Sequence, residues 1–120
     1  MTEETRLGRI EISPAAVAGI ASQAVLNSYG VVGMASKSLV GGLAQLLHRD
    51  SRRGVEVKLE SNRITIDLYV IIEYGTRISA VAHNIMSSVK FSIEKALGVP
   101  VSQVNVHVQG LRVSDTEIRL

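Results

Sequence analysis

The sequence predicts an α+β fold: a two-layer sandwich with helices on one face of a small mixed, mostly antiparallel sheet. Three observations predict it. Along Ile64 to Tyr74 the residues alternate, so that Ile64, Ile66, Leu68, Val70, Ile72 and Tyr74 point one way and Thr65, Asp67, Tyr69, Ile71 and Glu73 the other. Between Arg77 and Leu97 the period changes, because Ile78, Val81, Ala82, Ile85, Val89, Ile93, Ala96 and Leu97 recur at helical spacing. Finally, 120 residues that are 46% hydrophobic and 20% charged suffice for one core, so residues 1–120 are expected to form a single domain with flexible tails at 1–7 and 114–120.

Taken in order, Gly8 to Ile12 places Ile10 and Ile12 against Arg9 and Glu11, which predicts a short edge strand with one buried face. Ser13-Pro14 opens a helix, since the serine can accept from a free N–H and proline at the first helical position loses no needed donor. Its core stripe is expected to be Val17, Ile20, Ala21, Ala24, Val25 and Ser28, with Gly30 as the stop. The stretch from Gly30 to Gly42 is rich in glycine and serine, and Leu43, Leu46 and Leu47 then suggest a short amphipathic turn or helix ending near Asp50. Val55 to Glu60 and Ile64 to Tyr74 flank Ser61-Asn62-Arg63 as an antiparallel hairpin. Gly98 and Pro100 end the second long helix, and Val104, Val106 and Val108 alternate with Asn105, His107 and Gln109 in a last strand. The order is β-α-short α-β-β-α-β, and the crossover through the second long helix sets the last strand parallel to the Ile64 strand.

Chemistry finds little to hold. Without cysteine there is no disulfide framework, no thiolate nucleophile and no cysteine zinc site. Gly30 to Ser38 ends in the Lys37-Ser38 pair of a phosphate loop, yet Val31 and Ser36 stand where that loop needs glycine. Ser87 to Lys90 and Ser92 to Lys95 match the serine-lysine spacing of penicillin-recognising enzymes without its companion elements. His48, His83 and His107 fall on separate elements, and Asp67 and Glu73 are too far apart along a strand for paired acid–base work. No catalytic residue, cofactor or metal is expected. Nor is a membrane span, since no run of about 18 apolar residues occurs. Met1 to Arg9 lacks the basic flank and apolar stretch of a secretory signal.

What stands out is a surface. On the second face of the Ile64 strand, Tyr69 and Ile71 sit between Asp67 and Glu73, beside Asn105, His107 and Gln109. Large apolar groups there need cover, which is either a partner protein, a second copy, or the chain's own tail and loops. A net charge of +2 does not argue for nucleic acid, but His48-Arg49-Asp50-Ser51-Arg52-Arg53 is a basic cluster, so a small RNA-binding module using Arg49, Arg52 and Arg53 is the alternative reading.

Several stretches carry a resemblance: Gly8-Arg9-Ile10-Glu11-Ile12-Ser13-Pro14, Tyr29-Gly30-Val31-Val32-Gly33-Met34, Asp67 to Gly75, Ile78 to Ala82, and Val104-Asn105-Val106-His107-Val108-Gln109-Gly110. Read together, the chain resembles the alkaline shock protein family of Gram-positive bacteria, small proteins linked to envelope stress. The resemblance implies a cytoplasmic, non-enzymatic scaffold or adaptor that binds other proteins, self-associates, and reaches the membrane through a separate anchoring protein. Gly33 to Lys37 and Ser51 to Val55 look like the branch often encoded beside a kinase related to dihydroxyacetone kinase, which implies a fatty-acid kinase as another partner. The chain departs from many relatives in the sparse charge of its second long helix, at Ala80, Ala82, Asn84, Ser87 and Ser88, and in lacking a long charged C-terminal extension.

Overall fold

A computed structural model describes residues 2–35, 54–60, 63–113 and 116–118. In chain order the elements are β1 (Thr2–Thr5), β2 (Gly8–Glu11), α1 (Pro14–Leu26), β3 (Val31–Met34), β4 (Val55–Glu60), β5 (Arg63–Glu73), α2 (Ile78–Leu97), β6 (Gln103–Val113) and β7 (Thr116–Ile118). β5 is the centre of a five-stranded mixed sheet: β6 lies parallel along one side, and β3 and β4 lie antiparallel along the other, while β7 pairs with β6. The architecture is the expected α+β one, and the parallel register of β5 and β6 agrees with the crossover through α2.

The core forms where the period-two and period-3.6 patterns meet. Ile64, Ile66, Leu68, Val70 and Ile72 of β5 are wholly buried against Val17, Ala21 and Val25 of α1 and Val81, Ile85, Val89 and Ile93 of α2. Both helices therefore cover one face of β5, because only that face is aliphatic throughout. α1 is capped as expected, with the Ala16 N–H donating to Ser13 Oγ at 3.2 Å. α2 ends at Gly98, whose φ of 73° suits glycine and whose N–H donates to the Glu94 carbonyl at 2.8 Å.

Four expectations need correction. The Gly8 to Ile12 strand does not join the main sheet as a half-buried edge: β2 pairs with β1 in a separate, wholly exposed hairpin, and Ile10 is half exposed. β1, β3 and β7 are strands that the sequence did not announce. α1 buries Val17, Ala18, Ala21, Ser22 and Val25, leaving Ile20 and Ala24 only partly covered, and ends at Leu26. Tyr74 does not extend the core face, since β5 ends at Glu73 and Tyr74 is 59% exposed in the turn that follows. The expected short helix ending near Asp50 and the turn residues Ser61 and Asn62 lie outside the described residues.

β3 and β4 are two pieces of one strand line. Tyr69 of β5 binds both: its carbonyl accepts from the Ala35 N–H at 2.9 Å and its N–H donates to the Gly54 carbonyl at 2.8 Å. Gly54 has φ +91°, and a Cβ there would stand 2.6 Å from the Ala35 carbonyl oxygen. Glycine is required at that junction both by backbone angle and by the closeness of the two chain segments.

Candidate functional site

The second face of the sheet is built by the residues that alternate with the core. Register decides which of them meet. β6 places Asn105 beside Asp67 and His107 beside Tyr69, and β4 places Glu56 across from Asp67 and Lys58 across from Thr65. Asp67, Tyr69, Asn105 and His107 therefore form one cluster at the centre of the face.

Asp67 Oδ1 is its hub, accepting from Asn105 Nδ2 at 3.1 Å and from His107 Nε2 at 3.0 Å. That bond assigns the Nε2 proton to the imidazole and fixes the ring's orientation. The His107 hydrogen bond holds the Asp67 carboxyl below the ordinary carboxylate range, with smaller help from Asn105 and the positive charge of Lys58 and against the opposing effect of burial. The side chain of Asp67 is only 15% exposed, whereas that of His107 is 41% exposed, so the imidazole is the accessible member of the pair. The Tyr69 and His107 rings stack with centroids 4.6 Å apart and planes 12° from parallel. Tyr69 is 8% exposed, even though both described helices lie on the other side of the sheet.

The remaining members of the expected surface are looser. Ile71 is partly buried and faces Gly110 across the ladder, whose missing side chain leaves it a shallow open flank. Gln109 is the extra residue of a bulge, since Val70 pairs with Val108 and Ile71 with Gly110. Glu73 is exposed at the strand end, paired in register with Arg112. Arg49, Arg52 and Arg53, the residues of the RNA reading, lie outside the described residues. Of the histidines, His48 also lies outside them, and His83 sits on exposed α2, in the layer opposite to His107. Among the described residues no group of three or more acidic or imidazole side chains is arranged to hold a metal ion, and no helix is long and apolar enough to cross a membrane.

Chemically, a carboxylate–imidazole pair orients a ring; it becomes a catalytic relay when the far ring nitrogen addresses a nucleophile. Among the described residues the hydrogen bonding of His107 runs to Asp67. What the cluster offers is one accessible imidazole, held by a carboxylate and stacked on a buried tyrosine ring. Sequence reasoning had collected its members by face but could not pair them, because contacts across 38 and 40 residues are set by strand register. It missed Glu56 and Lys58, although the alternation of Val55, Val57 and Leu59 already put those two on the open face.

A family model described as alkaline shock protein 23 family, cell envelope-related function, matches residues 2–113. The chain belongs to that family. Alkaline shock family relatives include the uncharacterized protein YloU of Bacillus subtilis, 43% identical over 92% of this chain and 94% of its own length. The uncharacterized protein Spy1614 of Streptococcus pyogenes is 40% identical over 91% of this chain and 92% of its own length. Among solved structures, the zinc form of a MamM CTD variant superposes with a TM-score of 0.51 at 13% identity, over 88% of this chain and 94% of that one. At that identity the likeness is one of fold.

Proposed function

We propose that this alkaline shock family member is a non-catalytic adaptor in the cell-envelope response, which docks another protein on the open face of its sheet. In this reading it acts in the cytoplasm and reaches the membrane only through that partner. One observation carries it: the stacked Tyr69–His107 pair, held by Asp67 and Asn105, on a face that neither described helix covers. Binding energy at protein interfaces concentrates in rigid aromatic anchors flanked by polar groups whose hydrogen bonds are already satisfied. His107, 41% exposed and held by Asp67 and by its stacking on the buried Tyr69 ring, is pre-organised in this way, so docking costs it little side-chain freedom. The envelope-related description of the family supports the setting, and the surface supports the mode.

Site-specific photocrosslinking in living cells tests this. A photoreactive residue at Gln109 or Thr65, both on the open face, is expected to give one discrete adduct with a protein, and Tyr69→Ala in the same chain to abolish it. The same probe at Ser87, exposed on α2, should give none. Adducts from Ser87 alone would overturn the reading.

A further inference from the structure

We infer that two tyrosine–glycine turns at one end of the sheet form a docking patch for an acidic segment of a partner protein, in which a carboxylate lies beside aromatic or aliphatic side chains. The patch lies past the end of β5, about 20 Å from Asp67 at the usual rise of a strand. The inference does not depend on the adaptor reading.

The chain uses one short device twice here. In Ser28-Tyr29-Gly30-Val31 and in Glu73-Tyr74-Gly75-Thr76 the N–H of the fourth residue donates to the carbonyl of the first at 3.4 Å, and the glycines have φ +88° and +99°. A left-handed third residue is what a type II turn requires, which is why glycine follows the tyrosine in both. The turns are tied to each other and to the body of the fold. The Glu73 N–H donates to the Gly30 carbonyl and the Tyr74 N–H to the Arg112 carbonyl, both at 2.8 Å, while the Ser28 hydroxyl donates to the Ala24 carbonyl at 2.9 Å. A Cβ at Gly30 would stand 2.8 Å from Val81 Cγ2, so the first turn lies directly against α2.

Apolar side chains gather around these turns without being buried by them. Ile78 stands one helical turn before Val81, and Leu26 three residues before Tyr29 at the end of α1. Leu26, Tyr29, Tyr74 and Ile78 are four of the eight large hydrophobic side chains exposed among the described residues, and Tyr29 is 79% exposed. Such a concentration at one corner, on backbone already fixed by hydrogen bonds, marks a binding surface better than the same residues scattered would. Aromatic anchors on rigid turns lose little freedom when a partner covers them.

The sign of the charge identifies the occupant. α1 carries no charged residue in Pro14–Leu26, and the first turn of α2 holds no acidic one. Glu73 and Arg112 are paired in register on the opposite face, since the alternating Ile72 is the residue turned into the core. Arg77 therefore sets the charge of the patch on its helix side, exposed at the N-cap position of α2, where its side chain makes no capping bond. A cation there works against the helix dipole, so helix stability does not explain its place. A guanidinium beside apolar rings suits a carboxylate flanked by apolar groups. One arginine is too little for an anionic lipid surface, which takes a cluster of basic residues. A second copy docked patch to patch would bring two Arg77 side chains together, like charge against like.

Short random peptides displayed on phage and selected against the full chain test the patch, the enriched peptides then being synthesised and their binding followed by fluorescence anisotropy. They are expected to carry Asp or Glu next to an aromatic or aliphatic residue, and to bind Tyr29→Ser or Tyr74→Ser about tenfold or more weakly than wild type. Arg77→Glu should weaken them as well, and exchanging the peptide's acid for lysine should recover binding to Arg77→Glu while losing it to wild type. The altered side chains are exposed, and circular dichroism confirms that each variant is folded. No enriched peptide, enriched peptides that are basic or uncharged, or acidic peptides that bind the folded variants as tightly as wild type would each overturn the inference. So would flotation with phosphatidylserine vesicles, or an oligomer, that Tyr74→Ser abolishes. Acidic peptides lost on His107→Ala but kept on Tyr74→Ser would overturn it and leave the adaptor reading standing, because they mark the open face instead.

Discussion

Replacing Gly54 by alanine attacks the junction that aligns β3 and β4 and holds Tyr69 in place. At φ +91° an L side chain costs about 1–2 kcal/mol. The new Cβ would stand 2.6 Å from the Ala35 carbonyl oxygen and 3.0 Å from that of Tyr69, and both are backbone atoms of the ladder. Relief therefore requires lengthening the bonds from Ala35 and Gly54 to Tyr69, each worth about 1 kcal/mol. A total near 3 kcal/mol follows. With an unfolding entropy of about 0.25 kcal/mol per kelvin for a chain of this length, that lowers Tm by about 12 °C. Gly33→Ala is the control, because its Cβ meets nothing within 4 Å and its φ is not in the left-handed region; it should stay within about 0.5 kcal/mol of wild type. Differential scanning calorimetry on the three proteins reads the effect. A Gly54→Ala chain melting with Gly33→Ala would refute the close approach of the two strand segments.

Two further perturbations test the core and the cluster. Ile85→Ala removes a wholly buried side chain between α2 and β5 and should cost about 2–5 kcal/mol in urea unfolding, whereas Met86→Ala beside it, partly exposed, should cost far less. Because the folded state holds the Asp67 carboxyl below its unfolded value of about 3.9, the group contributes stability above that pH and loses it as pH falls through the folded value. Wild type should thus lose more stability than Asp67→Asn between about pH 5 and pH 2, measured by urea unfolding; equal losses would show that Asp67 is not selectively stabilised by its neighbours.

The parts of the fold legible in sequence are those where one face is aliphatic and the other is not. β5 and α2 could be read almost to the residue, because Ile64 to Ile72 and Val81 to Ile93 each carry an unbroken stripe. α1 could be placed but only partly oriented: Val17, Ala21 and Val25 of the expected stripe are buried while Ile20 and Ala24 are only partly covered, because small residues flank the stripe on both sides and blur its limits. β3 was hidden because it is four residues long, contains Gly33, and is half of a strand line completed by β4. The β1–β2 hairpin was misjudged for a different reason, since the alternation of Ile10 with Arg9 and Glu11 has the form of a half-buried strand although every residue of β2 is exposed. The candidate surface was legible as a set of residues on one face. Its organisation around Asp67 was not, since that depends on which residue of β6 lands beside which residue of β5.

The claim that partners dock on the sheet face that neither described helix covers can be measured on two histidines of the same chain. His107 lies on that face and His83 on the opposite layer, and both are reachable by diethyl pyrocarbonate in the isolated protein. In protein modified inside intact cells, His107 should be protected relative to the purified chain while His83 reacts as before. Equal modification of both, or protection of His83 alone, would contradict the account.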